Sequence, residues 1–433
     1  MLDSLLHPAN ILRPGAGARF LRFALLASLL THLVQGQTLS VGQTSGPPYF
    51  SPGVFNVLRY GADGTGATDS SPAVQAAVAA AVAADRGGIV YFPAGEYRLA
   101  STITATLTSP EKSLIFQGDA PELSLLFSAG AHDGIQVNLQ VGALFDGDKG
   151  TVGCNNLSIK TDQEGGFSAF VLAGSASVSP VKSFRNMVLA GRDINGYWGR
   201  GLDLSETPFT TIEDLKFQGP TSGYGGTAID IRSDSGATDF HIRGCHVWHA
   251  GNFLRVRGGS ASSNGPEGIH VHQVTVIISR RGINWETTGS GGVGKEPALF
   301  LTGSHFNCTD YCVQGVDLIQ SKISGNLLYQ DTTYLVADWA GIRLSSDQGA
   351  AENDMHTIVD NTIHGFSDAP NLREGVVLDG VGHSVISGNR IHDVTTGVLL
   401  RPGTIQNQVI RNYVTTFDNA AVVDQGSGNN IVP

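Results

Sequence analysis

The sequence predicts an all-β protein in which one chain coils as a parallel β-helix, and three observations carry that expectation. The first is a repeat. Val385-Ile386-Ser387-Gly388-Asn389-Arg390-Ile391-His392 reads as an apolar residue, two spacers, Asn, one residue and another apolar residue. The pattern returns at Val409-Ile410-Arg411-Asn412-Tyr413-Val414, Ile358-Val359-Asp360-Asn361-Thr362-Ile363 and Ile323-Ser324-Gly325-Asn326-Leu327-Leu328. Its central position continues upstream, with Asn replaced everywhere except at Asn186, through Ser304, Val274, Cys245, Leu215, Asn186 and Leu157, at intervals of 22 to 35 residues. The second observation is a ladder in phase with the first, including Gly201-Leu202-Asp203-Leu204, Ala228-Ile229-Asp230-Ile231, Gly282-Ile283-Asn284-Trp285 and Gly397-Val398-Leu399-Leu400. Apolar residues two apart mark strands with one face buried. Two or more such strands per repeat mark a solenoid coil, each stacking on the last at about 4.8 Å. The third observation is composition. Charged residues are 15% and apolar residues 41%, with 56 Gly, which suits a turn-rich β protein and excludes a disordered chain.

Stacked coils explain the Asn. At an inward corner its amide bonds turn backbone and the next Asn along the axis. A solenoid also grows by adding coils, so 433 residues need no second core.

Taken in order, residues 1–36 read as an export signal. Arg13, Arg19 and Arg22 precede the apolar run from Phe23 to Leu30, which is too short for a permanent span, and Val34 and Gly36 supply the small-residue end. The mature chain is therefore expected to be secreted or periplasmic, with no membrane attachment. Residues 37–54 read as a linker and 55–433 as one β-helix domain, with a cap and first coils over 55–118 and about ten coils over 150–430. Asp69-Ser70-Ser71-Pro72 offers a helix start, and Val74, Ala77, Val78, Ala81 and Val82 form an apolar stripe that Gly87-Gly88 ends. This short α-helix would cap the open N-terminal end. Of four Cys, Cys154 opens an early repeat and Cys245 reads as a core residue. Cys308 and Cys312 are close enough to bridge a turn. A net charge of −11 argues against a nucleic-acid partner. Gly61-Ala62-Asp63-Gly64-Thr65-Gly66 lacks the Lys-Ser/Thr ending of a phosphate loop.

The run from Phe55 to Gly118 resembles the opening of the pectate-lyase-like superfamily that includes rhamnogalacturonase- and epimerase-type proteins. The resemblance rests on Asn56-Val57, Tyr60-Gly61-Ala62, Gly66, Thr68-Asp69 and Gln75-Ala76-Ala77. It continues through Gly88, Val90-Tyr91-Phe92-Pro93, Gly95, Tyr97 and Leu114-Ile115-Phe116-Gln117-Gly118. It implies a right-handed, single-stranded parallel β-helix, usually secreted and facing polysaccharide. It does not fix the reaction, which must be argued from a site. The chain lacks the Trp-Ile-Asp-His and Arg-x-Pro-x-x-Arg signatures of pectate lyases, the Asn-Thr-Asp and Gly-His-Gly set of polygalacturonases, and the Asp-Pro-His-Asp of alginate epimerases.

Strand alternation supplies candidates. It turns Asp203, Asp230, Arg255, Asn284 and Arg343 outward, followed by Ser205, Arg232, Arg257, Glu286 and Ser345, whereas Val377 and Leu399 leave the later coils apolar. Asp203, Asp230 and Glu286 are the candidate catalytic carboxylates. Neighbouring coils would set Asp203 and Asp230 about 5 Å apart and Asp230 and Glu286 about 9–10 Å apart, the spacings of retaining and inverting glycoside hydrolysis. Arg232, Arg255, Arg257 and Arg343 would hold substrate, and Tyr197, Trp198 and Trp285 border the region as candidate stacking platforms. Hydrolysis of a polysaccharide is the leading reading, with no cofactor. Elimination beside a uronate is the alternative, with an Arg on the carboxylate, or with calcium on Asp203 and Asp230. A non-catalytic, tailspike-like or cell-surface carbohydrate binder is the reading from another class, in which stacked Asp and Arg are a solvated, ion-paired face. His241, His246, His249, His270 and His272 alternate between faces and read as polar turn residues, as does His383. Asp338-Trp339, beside a long repeat, is a further candidate sugar contact.

Overall fold

The computed structural model describes residues 53–140, 150–174, 180–258, 265–287, 296–334, 338–351, 354–366 and 371–432. The expected export signal and nearly all of the expected linker lie outside them.

The chain is a right-handed parallel β-helix whose pairings are parallel and inter-coil. Among the described residues the strands stack in three ladders, apart from the short separate pair Glu296–Pro297 and Leu318–Ile319. The first runs from Gly53–Asn56 through Gly87–Phe92 and Ser113–Gly118 to Asn430–Val432. The second carries the Asn-repeat strands, such as Thr362–His364 and its partner segment beginning at Arg390. The third runs from Ile103–Leu107 through Arg200–Ser205, Gly225–Ser233 and Ala250–Gly258 to Trp339–Ser345 and Arg373–Asp379. Alternate side chains from all three ladders fill one continuous apolar core.

The helix forms over Ser71–Ala83 with Pro72 in its first turn. Val74, Ala77, Val78 and Ala81 are buried as the stripe predicts, and Val82 packs partly against the same core. The Asp69 carboxylate, not a Ser70 side chain, accepts from the Ser71 amide at 2.9 Å.

From Asn156 onward, each coil turns the corner between the first and second ladders on one left-handed residue. Asn156, Asn186, Asp214, Gly244, Gln273, Gly303, Gly325, Asp360, Gly388 and Arg411 all have φ between 49° and 67°. Residues with short polar side chains or none tolerate this region best. The corner corrects one sequence expectation. Asn186 is not the inward residue of its coil. Register pairs Met187 with Leu157 and Leu215, so Met187 and Leu189 point inward, and Asn186 makes the turn itself.

After each corner in the last coils sits an Asn, buried at 326, 361 and 389 and half-buried at 412, and these form an amide ladder. The Nδ2 of Asn326 donates to Asn361 Oδ1 at 2.9 Å, Asn361 to Asn389 at 3.0 Å, and Asn389 to Asn412 at 2.9 Å. The second Nδ2 proton of Asn361 reaches the Ile323 carbonyl at 2.9 Å, and its Oδ1 also accepts from the Asn326 backbone amide at 3.1 Å. A second polar stack, not read from the repeat, occupies another corner: Asn407 donates to Asn429 Oδ1 at 3.1 Å and to the Val381 carbonyl at 2.9 Å.

Cys245 is a core residue as expected, but the possible Cys308–Cys312 bridge is corrected. All four are free and buried, and Cys308 and Cys312 lie within one strand, His305–Val316.

Because Asn361 satisfies donors and acceptors on both neighbouring coils, Asn361→Ala leaves several buried partners unpaired at about 1–3 kcal/mol each. Chemical denaturation should report a loss of about 2–4 kcal/mol; a loss below about 0.5 kcal/mol, the scale of a neutral surface change, would contradict the ladder's role.

Candidate functional site

The outer face of the third ladder carries three columns of side chains. Register sets Asp203 beside Asp230, Asp230 beside Arg255, Arg255 beside Asn284, then Gln314, Arg343, Val377 and Leu399. Two residues on, Ser205, Arg232, Arg257, Glu286, Val316, Ser345 and Asp379 align. Three residues before, Arg200, Thr227, Asn252, Arg281, Tyr311, Ala340 and Glu374 align.

The upstream part of this face is an ion-pair lattice. Arg200 Nε lies 2.8 Å from Asp203 Oδ2, and Ser168 Oγ donates to the same oxygen at 3.3 Å. Arg257 grips both oxygens of Asp230, at 3.1 and 2.7 Å. Arg255 pairs with Glu286 at 3.4 Å, and Asn284 Nδ2 donates to the other Glu286 oxygen at 2.7 Å. Arg232 donates to Ser205 Oγ at 3.2 Å and is exposed. Burial pushes the Asp203 carboxyl above its ordinary range. Arg200 opposes that shift and the Asp230 charge adds to it.

These contacts correct three expectations. Asp230 faces outward in register, yet only 2% of it is exposed and Arg257 occupies both its oxygens, so it offers no free oxygen to a sugar or to calcium. Trp198 and Trp285 are 1% and 0% exposed and belong to the core. Trp285 flanks outward Asn284, so alternation turns it inward, and Trp198 spends its Nε1 proton on the Ile159 carbonyl at 3.0 Å. Neither can stack on a sugar ring.

Further along, the same face opens into a cleft of about 220 Å³. Tyr311 and Ala340 line it, and with Val377 and Leu399 they form a small apolar cluster outside the main core. Around this floor stand Gln314, Asp338, Arg343, Glu374 and Arg401, with Arg280 and Asp310 at one side. Glu374 is half-buried, with Arg401 at 3.7 Å. Burial raises its proton affinity above that of an ordinary carboxyl. Arg401 and Arg343 pull it back and Asp338 pushes it further up. Arg401 also pairs with Asp379 at 3.3 Å. Tyr311 donates to Asn284 Oδ1 at 2.8 Å, and burial lifts its phenol well above the usual value. Arg280 and Arg281 share Asp310, at 2.8 and 3.1 Å.

Of the residues expected at the site, Arg343 and Asp338 enter the cleft. Trp339 is only 1% exposed. Asp203, Arg232, Arg255, Arg257 and Glu286 lie on the upstream coils of the same face. Glu374, Arg401, Tyr311 and Gln314 were not read from the sequence. For Glu374 and Tyr311 the signal was the column three residues before the one followed, with Glu374 directly before Gly375-Val376-Val377-Leu378, whereas Gln314 stands in the followed column between Asn284 and Arg343.

Fold and site together define a parallel β-helix protein with a charged, cleft-bearing outer face. Residues 54–294, more than half of the chain, match the family model described as rhamnogalacturonase A/epimerase, pectate lyase-like, and the chain belongs to that family. Residues 227–431 also match the model of the periplasmic copper-binding protein NosD. Among curated proteins, the mannuronan C5-epimerases AlgE1 and AlgE3 of Azotobacter vinelandii are each 57% identical over 58 residues. That stretch is 13% of this chain and only 4% and 3% of theirs. Among solved structures, the A-module of the A. vinelandii mannuronan C-5 epimerase AlgE4 is 16% identical with a TM-score of 0.51, covering 87% of this chain and 99% of the module. Tailspike protein 3 of bacteriophage CBA120 is 15% identical with a TM-score of 0.56, covering 95% of this chain and 64% of the tailspike. At these identities the structural likeness concerns the fold alone.

Arg257→Ala strands the buried Asp230 carboxylate and should cost about 3–5 kcal/mol in chemical denaturation, the scale of a broken buried pair. Arg232→Ala, at an exposed position, should stay within about 0.5 kcal/mol of the parent. Equal effects would contradict the structural assignment of the Asp230–Arg257 pair.

Proposed function

We propose that this protein takes an acidic polysaccharide along the outer face of its third ladder and hydrolyses a glycosidic bond in the cleft beside Glu374. The observation that carries this reading is one half-buried carboxyl of raised proton affinity set among two guanidinium groups, Arg343 and Arg401. A carboxyl whose proton affinity is raised above the ordinary value is suited to the general-acid role. Guanidinium groups are suited to holding the carboxylates of an acidic sugar. Asp338, on the next coil, is the companion carboxylate of the cleft. Asp203, whose proton affinity is also raised, marks a further acid group upstream, with Arg232, Arg255 and Glu286 contacting the polymer between the two. In this reading Asp230 and Arg257 position the face and do not touch the substrate.

A polysaccharide partner is further supported by the names of the curated relatives, which refer to mannuronan. Such a substrate, with the periplasmic designation of the NosD model, supports work outside the cytoplasm. Among the described residues no helix is long and apolar enough to cross a membrane. Elimination is the second reading, favoured by the same two arginines. They would neutralise a uronate carboxylate while ionised Glu374 took the adjacent proton.

A panel of acidic and neutral polysaccharides, assayed for both reducing ends and unsaturated-uronate absorbance, tests the proposal. Hydrolysis predicts reducing ends without absorbance on an acidic polymer, with the rate falling as pH rises through the raised Glu374 value, because the acid form is the active one. Glu374→Gln should lower kcat by about 100-fold or more, while Arg343→Ala should chiefly raise KM. Absorbance would mean elimination. Binding without either product would favour the non-catalytic carbohydrate binder, and an unchanged rate in Glu374→Gln would remove that residue from the mechanism.

A further inference from the structure

The second ladder carries a side-chain cluster that the cleft does not use. His364 and His392 are register partners on adjacent coils, their rings stacked with centroids 4.0 Å apart. Asp393 follows His392 at a left-handed position, φ 55°. One of its oxygens, Oδ2, lies 3.0 Å from His364 Nε2 and 3.2 Å from His392 Nδ1. The three donor atoms fall within 4.8 Å of one another, and the side chains are 29%, 35% and 26% exposed, so solvent reaches them.

We propose that His364, His392 and Asp393 form a binding site for a divalent transition-metal ion of the zinc type. Two imidazole nitrogens and one carboxylate oxygen are the donor set that borderline ions prefer, whereas calcium and magnesium take oxygen-rich shells. The spacing agrees. Ligands bonded at about 2.0–2.1 Å around a tetrahedral ion stand roughly 3.3 Å apart, close to both nitrogen–oxygen distances here. The parallel stack presents the two imidazoles from neighbouring coils, and the left-handed turn at Asp393 brings its carboxylate back to both rings. Three protein ligands leave a fourth position for water or a substrate atom. The spacing is written into the repeat: His364 and His392 each lie three residues after the ladder asparagines Asn361 and Asn389, so coil stacking must bring them together. A second stacked pair, His241 and His270, with centroids 4.8 Å apart, shows what stacking alone provides. No carboxylate is hydrogen-bonded to it among the described residues.

The test is titration of Zn²⁺ into the chelator-stripped, untagged full chain, followed by calorimetry and by thermal melting. One saturable site and a raised Tm are expected. His364→Gln, His392→Gln and Asp393→Asn, each checked by its metal-free melt to be folded, should weaken Zn²⁺ binding at least tenfold, and His241→Gln should leave it unchanged. Absence of saturable binding would overturn the proposal and leave the cluster as a carboxylate bonded to two imidazoles. So would equal affinity in the parent and the three site variants.

Discussion

The corner between the first and second ladders is the constraint on which the rest of this molecule depends. Each coil must bend sharply at a single residue while keeping its strands in register with the coils on either side. One left-handed residue makes the turn, and the residue after it points into the core. In the last coils that residue is Asn, whose amide bonds the turn backbone and the next Asn, so a buried polar group leaves no partner unmet. Upstream, Leu157, Met187, Leu215, Cys245 and Val274 fill the same position with apolar bulk. Both solutions hold the register, and register decides which side chains meet on the outside.

On the outer face of the third ladder, register produces two chemically different zones. Over Asp203, Asp230 and Glu286 each carboxylate meets an arginine at close range, so much of the charge is internally compensated. Over Tyr311, Ala340 and Val377 the column turns apolar, and its charged neighbours Glu374, Arg343 and Arg401 stand around that floor. Burial beside that floor raises the proton affinity of Glu374 despite the nearby cations. A solenoid can thus carry a rigid ionic track and a reactive cleft a few coils apart on one surface, without a separate domain for either.

Much of the fold was legible in the residues. The Asn repeat, the paired apolar positions and the Phe55–Gly118 run led to the parallel β-helix, and Val74 through Ala81 marked the helix. The slip at Asn186 arose because a polar residue that makes the turn looks, in sequence, like a polar residue that follows it; only the pairing of Met187 with Leu157 separates them. The site was harder to read. Alternation placed Asp203, Asp230 and Arg343 on the correct face, but direction does not reveal how far a neighbouring arginine encloses a carboxylate, as Arg257 does Asp230. The aromatic candidates failed for a simpler reason: Trp285 flanks an outward residue and so had to be inward. Glu374 and Tyr311 escaped notice because only two of three outward columns were followed. His364 and His392 escaped because their significance lies in a shared phase of the repeat rather than in a local motif.

The central claim is that the cleft at Glu374, and not the ion-paired track upstream, receives the sugar at which chemistry occurs. A crystal structure of the inactive Glu374→Gln protein with a bound uronate oligosaccharide tests this most directly. The account predicts a sugar carboxylate against the guanidinium groups of Arg343 and Arg401, with a glycosidic oxygen within hydrogen-bond reach of residue 374. An oligosaccharide bound only over Asp203 and Glu286, or on another ladder with the cleft left to solvent, would contradict it.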